Sequence, residues 1–331
     1  MNLEQLASFV EVADTGHFTK AAATLHLAQP SLSRQISTLE KELGAELFHR
    51  ARGHITLTAA GAALLPTARR MLADAEAIRL DMDELAGLRQ GRVRLGATPT
   101  LCVSLVAEAL SRFHAEHPGI ELEVVEKGSR ELVEALGAGQ LDLALITRTV
   151  DLGAQTPRLQ MQEVLREDLV VITACDDGGD VSDDGEAGAR GGGAGAGLAR
   201  TDTITLAEVA ARPQVVFHHG YDLREATSAA FEAAGLTPDV VVAGVEMDAA
   251  IRFVERGLGL AIVPAMVLVH RPRLRSIRLV DPGLSRIVSL ASRADVRPTA
   301  AASAMERMVL STARTLAAED SELARYVRME V

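Results

Sequence analysis

The segment from Pro30 to Leu43 constrains this chain most, because its apolar and polar residues separate onto two faces of one helix. The apolar face is predicted from residues at helical spacing, namely Leu32, Ile36, Leu39 and Leu43. The opposite face carries Ser31, Arg34, Gln35 and Thr38. These polar side chains match phosphates and base edges, and a helix fits the major groove of DNA. The pattern therefore predicts a helix that packs on one side and contacts DNA on the other.

Flanking signals predict a helix-turn-helix followed by a hairpin. A first amphipathic helix is predicted from Leu3, Leu6, Phe9, Val10 and Ala13. Thr19 is predicted to cap a second helix, and Pro30 to open a third, since proline is best tolerated in a first turn. After Gly44, residues 47–57 predict a short hairpin whose tip is flanked by Arg50 and Arg52. Such a hairpin suits a wing that lies along the phosphates.

Charge alone does not decide between a DNA contact and a solvated polar surface. Residues 1–60 carry five Lys and Arg against six Asp and Glu, so this part of the chain is not basic. The whole chain has a net charge of −11, which argues against a general nucleic-acid coat. Any DNA contact must therefore be local.

Five segments, in order and with matching gaps, resemble the N-terminal domain of the LysR-type transcriptional regulators. They are Phe18–Ala22, Leu27–Ile36, Leu39–Gly44, Leu47–Arg50 and Leu57–Gly61. The resemblance implies a DNA-binding regulator that responds to a small-molecule effector, with a winged helix-turn-helix, a long linker helix that dimerises, and an effector domain folded like periplasmic binding proteins. It also implies a dimer or tetramer. Carried over by position, the family's DNA contacts fall on Gln29, Pro30, Ser31, Ser33, Arg34, Gln35 and Thr38, with Arg50 and Arg52 in the wing.

The linker is also predicted from spacing alone. Its apolar residues recur at alternating steps of four and three, namely Leu64, Ala68, Met71, Ala75, Ile78, Met82 and Leu85. This is a heptad seam, which requires a partner helix, so we expect homodimerisation. A helix from Thr58 to Ala86 would be roughly 40 Å long. Packing of the seam on its own chain is the alternative.

Length and pattern predict three units: a DNA-binding domain at 1–58, a linker at 59–89 and an effector domain at 90–331. Past Gly91, strands alternate with helices, which is typical of an α/β fold with a parallel sheet. Two such sets predict two lobes, at about 90–163 plus 267–331 and at 164–266. Ligands of open α/β sheets lie at the carboxyl ends of the strands, so we expect the effector in the cleft between the lobes.

Residues at the predicted strand-to-helix turns are candidates for effector contacts. The first lobe contributes Thr98, Pro99, Thr100, Ser129 and Thr147, and the second contributes Phe217, His218, His219 and Met247. Hydroxyls and free backbone N–H groups at such turns can hold a carboxylate. LysR-type regulators commonly sense small organic acids, although helix capping is the commoner role of a lone Ser or Thr.

The remaining features predict no enzyme, metal site or cofactor. Residues 176–197 are rich in glycine and acids and are predicted to be a disordered loop. Cys102 and Cys175 suit a reducing compartment and packing roles, and the start of the chain lacks a signal-peptide pattern, so we expect a cytoplasmic protein without membrane spans. A two-lobed enzyme or a solute-binding protein could share the α/β region, but neither explains the polar face of the helix at 30–43.

Overall fold

The computed structural model describes residues 1–51, 54–85, 91–147, 159–175, 198, 201–219, 221–268, 271–318, 321 and 323–330. Within these ranges, no helix combines the length and the apolar character that a membrane crossing needs. The predicted disordered loop at 176–197 lies outside the described residues.

The N-terminal domain consists of three helices and an antiparallel hairpin. The helices are α1 (Leu3–Thr15), α2 (Phe18–Thr24) and α3 (Gln29–Leu43), and the hairpin strands are β1 (Phe48–Ala51) and β2 (His54–Leu57). The predicted helices and hairpin are confirmed, and Pro30 lies in the first turn of α3. The predicted cap of α2 was wrong, since His17 precedes the helix and Thr19 lies inside it.

A small apolar core holds this domain together. Leu32, Ile36 and Leu39 of α3 are fully buried, as predicted, and each such side chain contributes roughly 1.5–3 kcal/mol through burial. Leu43 was also predicted to pack but is 42% exposed, because it is the last residue of α3 and lies beyond the core. Leu3, the first residue of α1, is exposed for the corresponding reason.

A single long helix, α4 (Ala59–Leu85), leaves this domain. Its 27 residues span about 40 Å. A Cβ on Gly61 would lie 2.2 Å from the carbonyl oxygen of Leu47, so only glycine allows the helix to approach the end of α3 and the hairpin this closely. Farther along, Asp74 accepts a 2.8 Å hydrogen bond from Arg293, which ties α4 to the effector domain.

The effector domain alternates strands and helices, as predicted. Its first part contains β3 (Gly91–Ala97), α5 (Pro99–Leu101), a π-helical turn (Cys102–Val106), α6 (Ala107–Glu116), β4 (Ile120–Glu126), α7 (Ser129–Gly137) and β5 (Leu143–Thr147). Its middle part contains β6 (Leu159–Ala174), β7 (Thr203–Thr205), α8 (Leu206–Ala210), β8 (Gln214–Phe217), α9 (Asp222–Ala233), β9 (Val240–Val245), α10 (Met247–Glu255), β10 (Ala261–Pro264), a 3-10 turn (Ala265–Leu268) and β11 (Leu274–Val280). The chain ends with β12 (Ser285–Arg293), α11 (Ala300–Leu316) and β13 (Val327–Met329).

Nine strands of the effector domain form a mixed sheet rather than the parallel one predicted, and β8 and β9 form a separate parallel pair. The order is β4-β3-β5-β12-β6-β11-β7, and β10 and β13 also pair with β6. Strands β4, β3 and β5 are parallel, whereas β12, β10 and β11 run antiparallel to β6. The prediction missed this because it considered only strand-helix-strand units, which produce parallel neighbours.

One strand, β6, belongs to both lobes. Residues 159–168 pair with β12, and residues 169–174 pair with β10 and β11. Strand β11 therefore lies with the second lobe, whereas the sequence analysis assigned residues 267–331 to the first. The carboxyl ends of β3 and β5 and the N-termini of α7 and α9 converge beside this crossing, and together they form a cleft.

Candidate DNA-reading face and effector cleft

The exposed side of α3 forms a continuous polar surface, called here the reading face. It consists of Pro30, Ser31, Arg34, Ser37 and Thr38, all of which are exposed. At 100° per residue these positions lie opposite the buried Leu32, Ile36 and Leu39. The sequence analysis missed Ser37, although the same helical spacing places it on this face.

The other predicted contacts on α3 lie at the edges of the reading face. Ser33 and Gln35 are half-buried, and Gln35 accepts a hydrogen bond from the hydroxyl of Ser8. Gln29 is exposed, and its side chain accepts from Thr19 at 3.4 Å. Thr19 and Gln29 thus bring the start of α2 beside the start of α3, so Thr19 borders the reading face as well.

Two acidic side chains of this domain make structural contacts. Glu40 accepts a 2.9 Å hydrogen bond from the N–H of Leu47, which fixes the turn into the hairpin. Asp14 pairs with Arg69 of α4. The domain is near neutral by count, but these acids act as structural partners while Arg34 is exposed on the reading face. A local cationic surface on a near-neutral domain is what a localised DNA contact requires.

The hairpin that forms the predicted wing packs against α1 and α2. Arg50 lies on β1, where it pairs with Ile55 of β2. Arg52 lies outside the described residues. The hairpin packs through Phe48, whose ring lies 5.3 Å from Phe9 and 6.1 Å from Phe18.

The predicted heptad seam on α4 divides into two parts. Ala68 is fully buried in the core of the N-terminal domain and Leu64 packs against that core, so these two positions serve their own domain rather than a partner. The prediction that Ala68 contacts a partner helix was wrong for this reason. Met71, Ile78 and Met82 are 38%, 63% and 55% exposed and form an apolar stripe on the rest of the helix.

In the effector domain, the predicted residues of the first lobe come together. Thr98, Thr100 and Thr147 line the small cleft together with Pro99, and all three are almost fully buried. Ser129 is also fully buried, and its hydroxyl accepts a 3.0 Å hydrogen bond from the N–H of Thr147. The carboxyl ends of β3 and β5 and the N-terminus of α7 therefore meet at one point, as the prediction required.

From the second lobe, the side chain that enters this cluster is Asp222, the first residue of α9. Its Oδ2 accepts hydrogen bonds from the hydroxyl of Ser129, from Thr147 Oγ1 at 2.8 Å and from the N–H of Ser129 at 3.4 Å. The sequence analysis missed Asp222. An acid at the start of a helix is common, so its type and position alone do not indicate a long-range partner.

A buried ion pair lies at the floor of the cleft. Arg286 of β12 pairs with Glu167 of β6, with Nε 2.9 Å from Oε2, and both side chains are almost fully buried. The other carboxylate oxygen of Glu167 accepts from the N–H of Met266 at 2.6 Å, and Arg286 Nη1 donates to Thr100 Oγ1 at 2.6 Å. Thr100, Glu167 and Arg286 belong to the first lobe, and the N–H of Met266 joins them from the second.

Two buried polar atoms of this cleft remain without a hydrogen bond. Thr98 Oγ1 has no partner. Arg286 Nη2 lies 2.8 Å from Glu167 Oε2 as an ion pair but makes no well-directed hydrogen bond. A buried polar atom without a partner costs about 1–3 kcal/mol, which a ligand oxygen at this position would offset.

The residues predicted from the second lobe do not line the cleft. His218 and His219 are exposed, because the chain turns outward after β8. Phe217 and Met247 are buried in the core of the domain. Phe217 stacks on Tyr221 at 5.7 Å, and Tyr221 does line the cleft, so Phe217 supports the wall from behind.

Tyr221 is held in its neutral form. Burial raises the pKa of its phenol, and the neighbouring carboxylate of Glu246 raises it further. The phenol therefore stays protonated and donates its hydrogen bond to Glu246. This bond joins the starts of α9 and α10 beside the cleft.

The two cysteines do not form a reactive pair. Neither forms a disulfide, and burial, reinforced by Glu126, raises the pKa of Cys102 to about 12. Because the thiolate is the reactive form, Cys102 is poorly suited to redox sensing.

Comparison with known proteins matches both halves of the molecule. The family described as bacterial regulatory helix-turn-helix protein, lysR family, matches residues 3–62, and the LysR substrate binding domain matches residues 86–314. The uncharacterized HTH-type transcriptional regulator YybE of Bacillus subtilis (strain 168) is 31% identical over 291 residues, which cover 88% of this chain and 92% of that protein.

Solved structures with this architecture cover nearly the whole chain. A full-length OxyR variant from Pseudomonas aeruginosa superposes with a TM-score of 0.68 at 22% identity, covers 100% of this chain and 99% of its own, and supports the fold. Full-length CbnR complexed with its target DNA gives a TM-score of 0.62 at 25% identity, over 94% of this chain and 100% of its own. This chain therefore belongs to the LysR family of transcriptional regulators, DNA-binding proteins whose operator binding or promoter activation is modulated by a small-molecule effector bound in the C-terminal domain.

Proposed function

We propose that this regulator contacts its operator with the reading face, the edges of that face and the hairpin. The proposed contacts are Gln29, Pro30, Ser31, Ser33, Arg34, Gln35, Thr38, Arg50 and Arg52. Arg34 occupies the centre of the reading face, where a guanidinium can bind a phosphate or the edge of a guanine. Phosphate contacts would set the position of α3 in the groove, and base contacts would set the sequence.

The observation that carries this proposal is the exposure of Arg34 at the centre of the reading face, whose other members are uncharged. Because Arg34 does not take part in the packing of the domain, Arg34→Ala should leave folding intact. It should weaken specific operator binding by about 1–3 kcal/mol.

The test is footprinting on the DNA around the regulator's own gene, with and without a panel of small metabolites. Arg307→Ala provides a matched control, because it removes the same charge from an exposed position on α11 of the effector domain. The footprint should weaken for Arg34→Ala and persist for Arg307→Ala. Equal footprints for the two variants would refute the reading face.

We further propose that two copies of the chain pair through α4. Met71, Ala75, Ile78, Met82 and Leu85 follow heptad spacing in the sequence, and the exposed apolar stripe of Met71, Ile78 and Met82 would bury itself against the same stripe of a second copy. A dimer presents two reading faces, which matches operators built from two half-sites. The units that we propose are a DNA-binding domain at 1–58, a linker at 59–89 and an effector domain at 90–331.

The proposed effector site is the cleft around Thr98, Thr100, Ser129 and Thr147, with Pro99 at its rim and Arg286 at its floor. Its hydroxyls, its guanidinium and the N-terminus of α7 favour an oxygen-rich ligand such as a small organic acid. The unpartnered hydroxyl of Thr98 supports this assignment, since it lies where a ligand oxygen would complete its hydrogen bonding.

We place the protein's action in the cytoplasm, where the operator DNA of a bacterial regulator is found. We also propose that it acts as a regulator and not as an enzyme, because the family to which it belongs consists of transcriptional regulators.

A further inference from the structure

The carboxylate of Asp222 is held by three donors that all belong to the other lobe. The donors are the N–H and hydroxyl of Ser129 at the start of α7 and the hydroxyl of Thr147 at the end of β5. Asp222 itself begins α9 in the second lobe. The contacts span 75 and 93 positions of the sequence, so they exist only when the two lobes are together.

These donors form an anion site in their own right. The N-terminus of a nine-residue helix carries a partial positive charge and a free N–H, and two hydroxyls converge on the same oxygen. Any carboxylate of suitable size would be bound by them, so the side chain of Asp222 occupies the place that the carboxylate of an organic acid would take.

The charges of the cleft prevent the carboxylate of Asp222 and the carboxylate of an organic acid from occupying it together. Arg286 is neutralised by Glu167, and among the ion pairs formed by described residues none involves Asp222. Among the described residues, therefore, no cation pairs with the carboxylate that Asp222 brings into the cleft. A second carboxylate entering the same small space would meet a like charge at short distance, which is unfavourable.

The cleft nevertheless retains capacity for a ligand oxygen. Thr98 lines it and is only 4% exposed, and its Oγ1 has no hydrogen-bond partner. An acid with a second oxygen could reach Thr98 while its carboxylate took the donors on Ser129 and Thr147. This unpartnered hydroxyl is independent of the contacts made by Asp222.

From these observations we infer that Asp222 is a built-in competitor of the effector, and that an acidic effector binds by exchanging its carboxylate for that of Asp222. The inference rests on the proposed effector cleft. The exchange releases α9 from Ser129 and Thr147, so ligand binding changes a contact between the lobes. A ligand alters a conformational equilibrium only through such a difference between states, and this exchange supplies one.

The test removes the carboxylate of Asp222 from the anion site by substitution and adds acetate, as a free carboxylate, to the full-length protein. Asp222→Ala should bind acetate saturably at constant ionic strength, with an affinity at least about tenfold higher than wild type, because the three donors gain a charged acceptor. Acetamide has the same shape without the charge and should bind neither protein. Isothermal titration calorimetry measures the affinity of each ligand for each protein, and the shift of the melting temperature with ligand concentration provides a second measurement.

Matched variants separate this site from general effects of the substitution. Asp222→Asn keeps a side chain of similar shape in the site, so it should not gain acetate binding. Adding Ser129→Ala to Asp222→Ala removes one hydroxyl donor and should weaken acetate about tenfold. If Asp222→Ala does not fold, Asp222→Ser leaves similar space for acetate and the same comparison applies.

The outcomes distinguish this inference from the proposed effector function. Equal acetate binding by wild type and Asp222→Ala, or equal binding of acetate and acetamide, would overturn the exchange. If acetate binds only to Asp222→Ala while no metabolite alters the wild-type footprint, the anion site stands and the effector function fails. If a metabolite alters the footprint but Asp222→Ala gains no acetate binding, the effector function stands and the exchange is wrong.

Discussion

The reading face and the effector cleft use polar side chains in opposite ways. On α3, Ser31, Arg34 and Thr38 are exposed and take little part in holding the domain together. In the cleft, Glu167 and Arg286 are buried and bonded to each other. A surface that must meet DNA keeps its donors in water, whereas a pocket that must recognise a small molecule fixes its donors in advance. Removing a polar side chain should therefore change the free energy of unfolding far more in the cleft than on the reading face.

The largest difference is expected for the two arginines. Arg286→Met leaves the buried carboxylate of Glu167 without its cation, so the effector domain should lose about 3–5 kcal/mol of unfolding free energy. Arg34→Ala removes an exposed side chain and should change stability by less than about 0.5 kcal/mol. Urea unfolding of the effector-free protein measures both.

A double variant tests the cause of the loss. Arg286→Met combined with Glu167→Gln removes both charges together and should recover part of the lost stability. If Arg286→Met alone costs no more than Arg34→Ala, the cleft floor is not held by this ion pair and the contrast between the regions fails.

A charged substitution in the linker helix should weaken dimerisation and leave folding unchanged. Ile78 is 63% exposed in the single chain, so Ile78→Glu should not disturb the fold. It would place unpaired charges between two helices and should raise the dimer dissociation constant at least about a hundredfold. Light scattering measures the mass, and Ala63→Glu, at an exposed position off the seam, is the control. An unchanged mass for Ile78→Glu would exclude α4 as the main dimer contact.

The smallest difference separates two neighbouring threonines. Thr100→Val removes the acceptor of Arg286 Nη1 and should cost about 1–3 kcal/mol in the effector-free protein. Thr98→Val removes a buried hydroxyl that has no partner, so it should not lower the stability and should raise it, by at most about 1–3 kcal/mol. Thermal unfolding compares the two variants directly. A loss of stability for Thr98→Val would mean that the hydroxyl of Thr98 is already satisfied without ligand.

The two regions also differ in how far their sequence predicts them. Helical spacing within fifteen residues is enough to assign Arg34 to an exposed face and Ile36 to a buried one, because both faces belong to one helix. It fails at the helix end, where Leu43 has no core to meet. The same limit explains Ala68, whose heptad position is correct but whose partner is the adjacent domain.

In the cleft, local patterns identified Thr98, Thr100, Ser129 and Thr147 because each follows a strand or begins a helix. They could not identify Asp222 or Arg286, whose partners lie 75 to 186 positions away. His218 was predicted because it follows a strand, whereas Asp222 lies farther along, at the start of α9. The path of a turn depends on tertiary contacts, here the stacking of Phe217 on Tyr221, which no periodicity reports.

The most direct test measures the binding of operator DNA and of effector to one variant from each region, Arg34→Ala and Thr98→Val. Operator affinity is measured by fluorescence anisotropy, and effector affinity by calorimetry with the metabolite that alters the wild-type footprint. We expect Arg34→Ala to weaken operator binding by about 1–3 kcal/mol and to leave effector binding unchanged. Thr98→Val should weaken the effector about tenfold and leave effector-free operator binding unchanged. Loss of effector binding in Arg34→Ala, or loss of effector-free operator binding in Thr98→Val, would contradict the assignment of reading and sensing to these two regions.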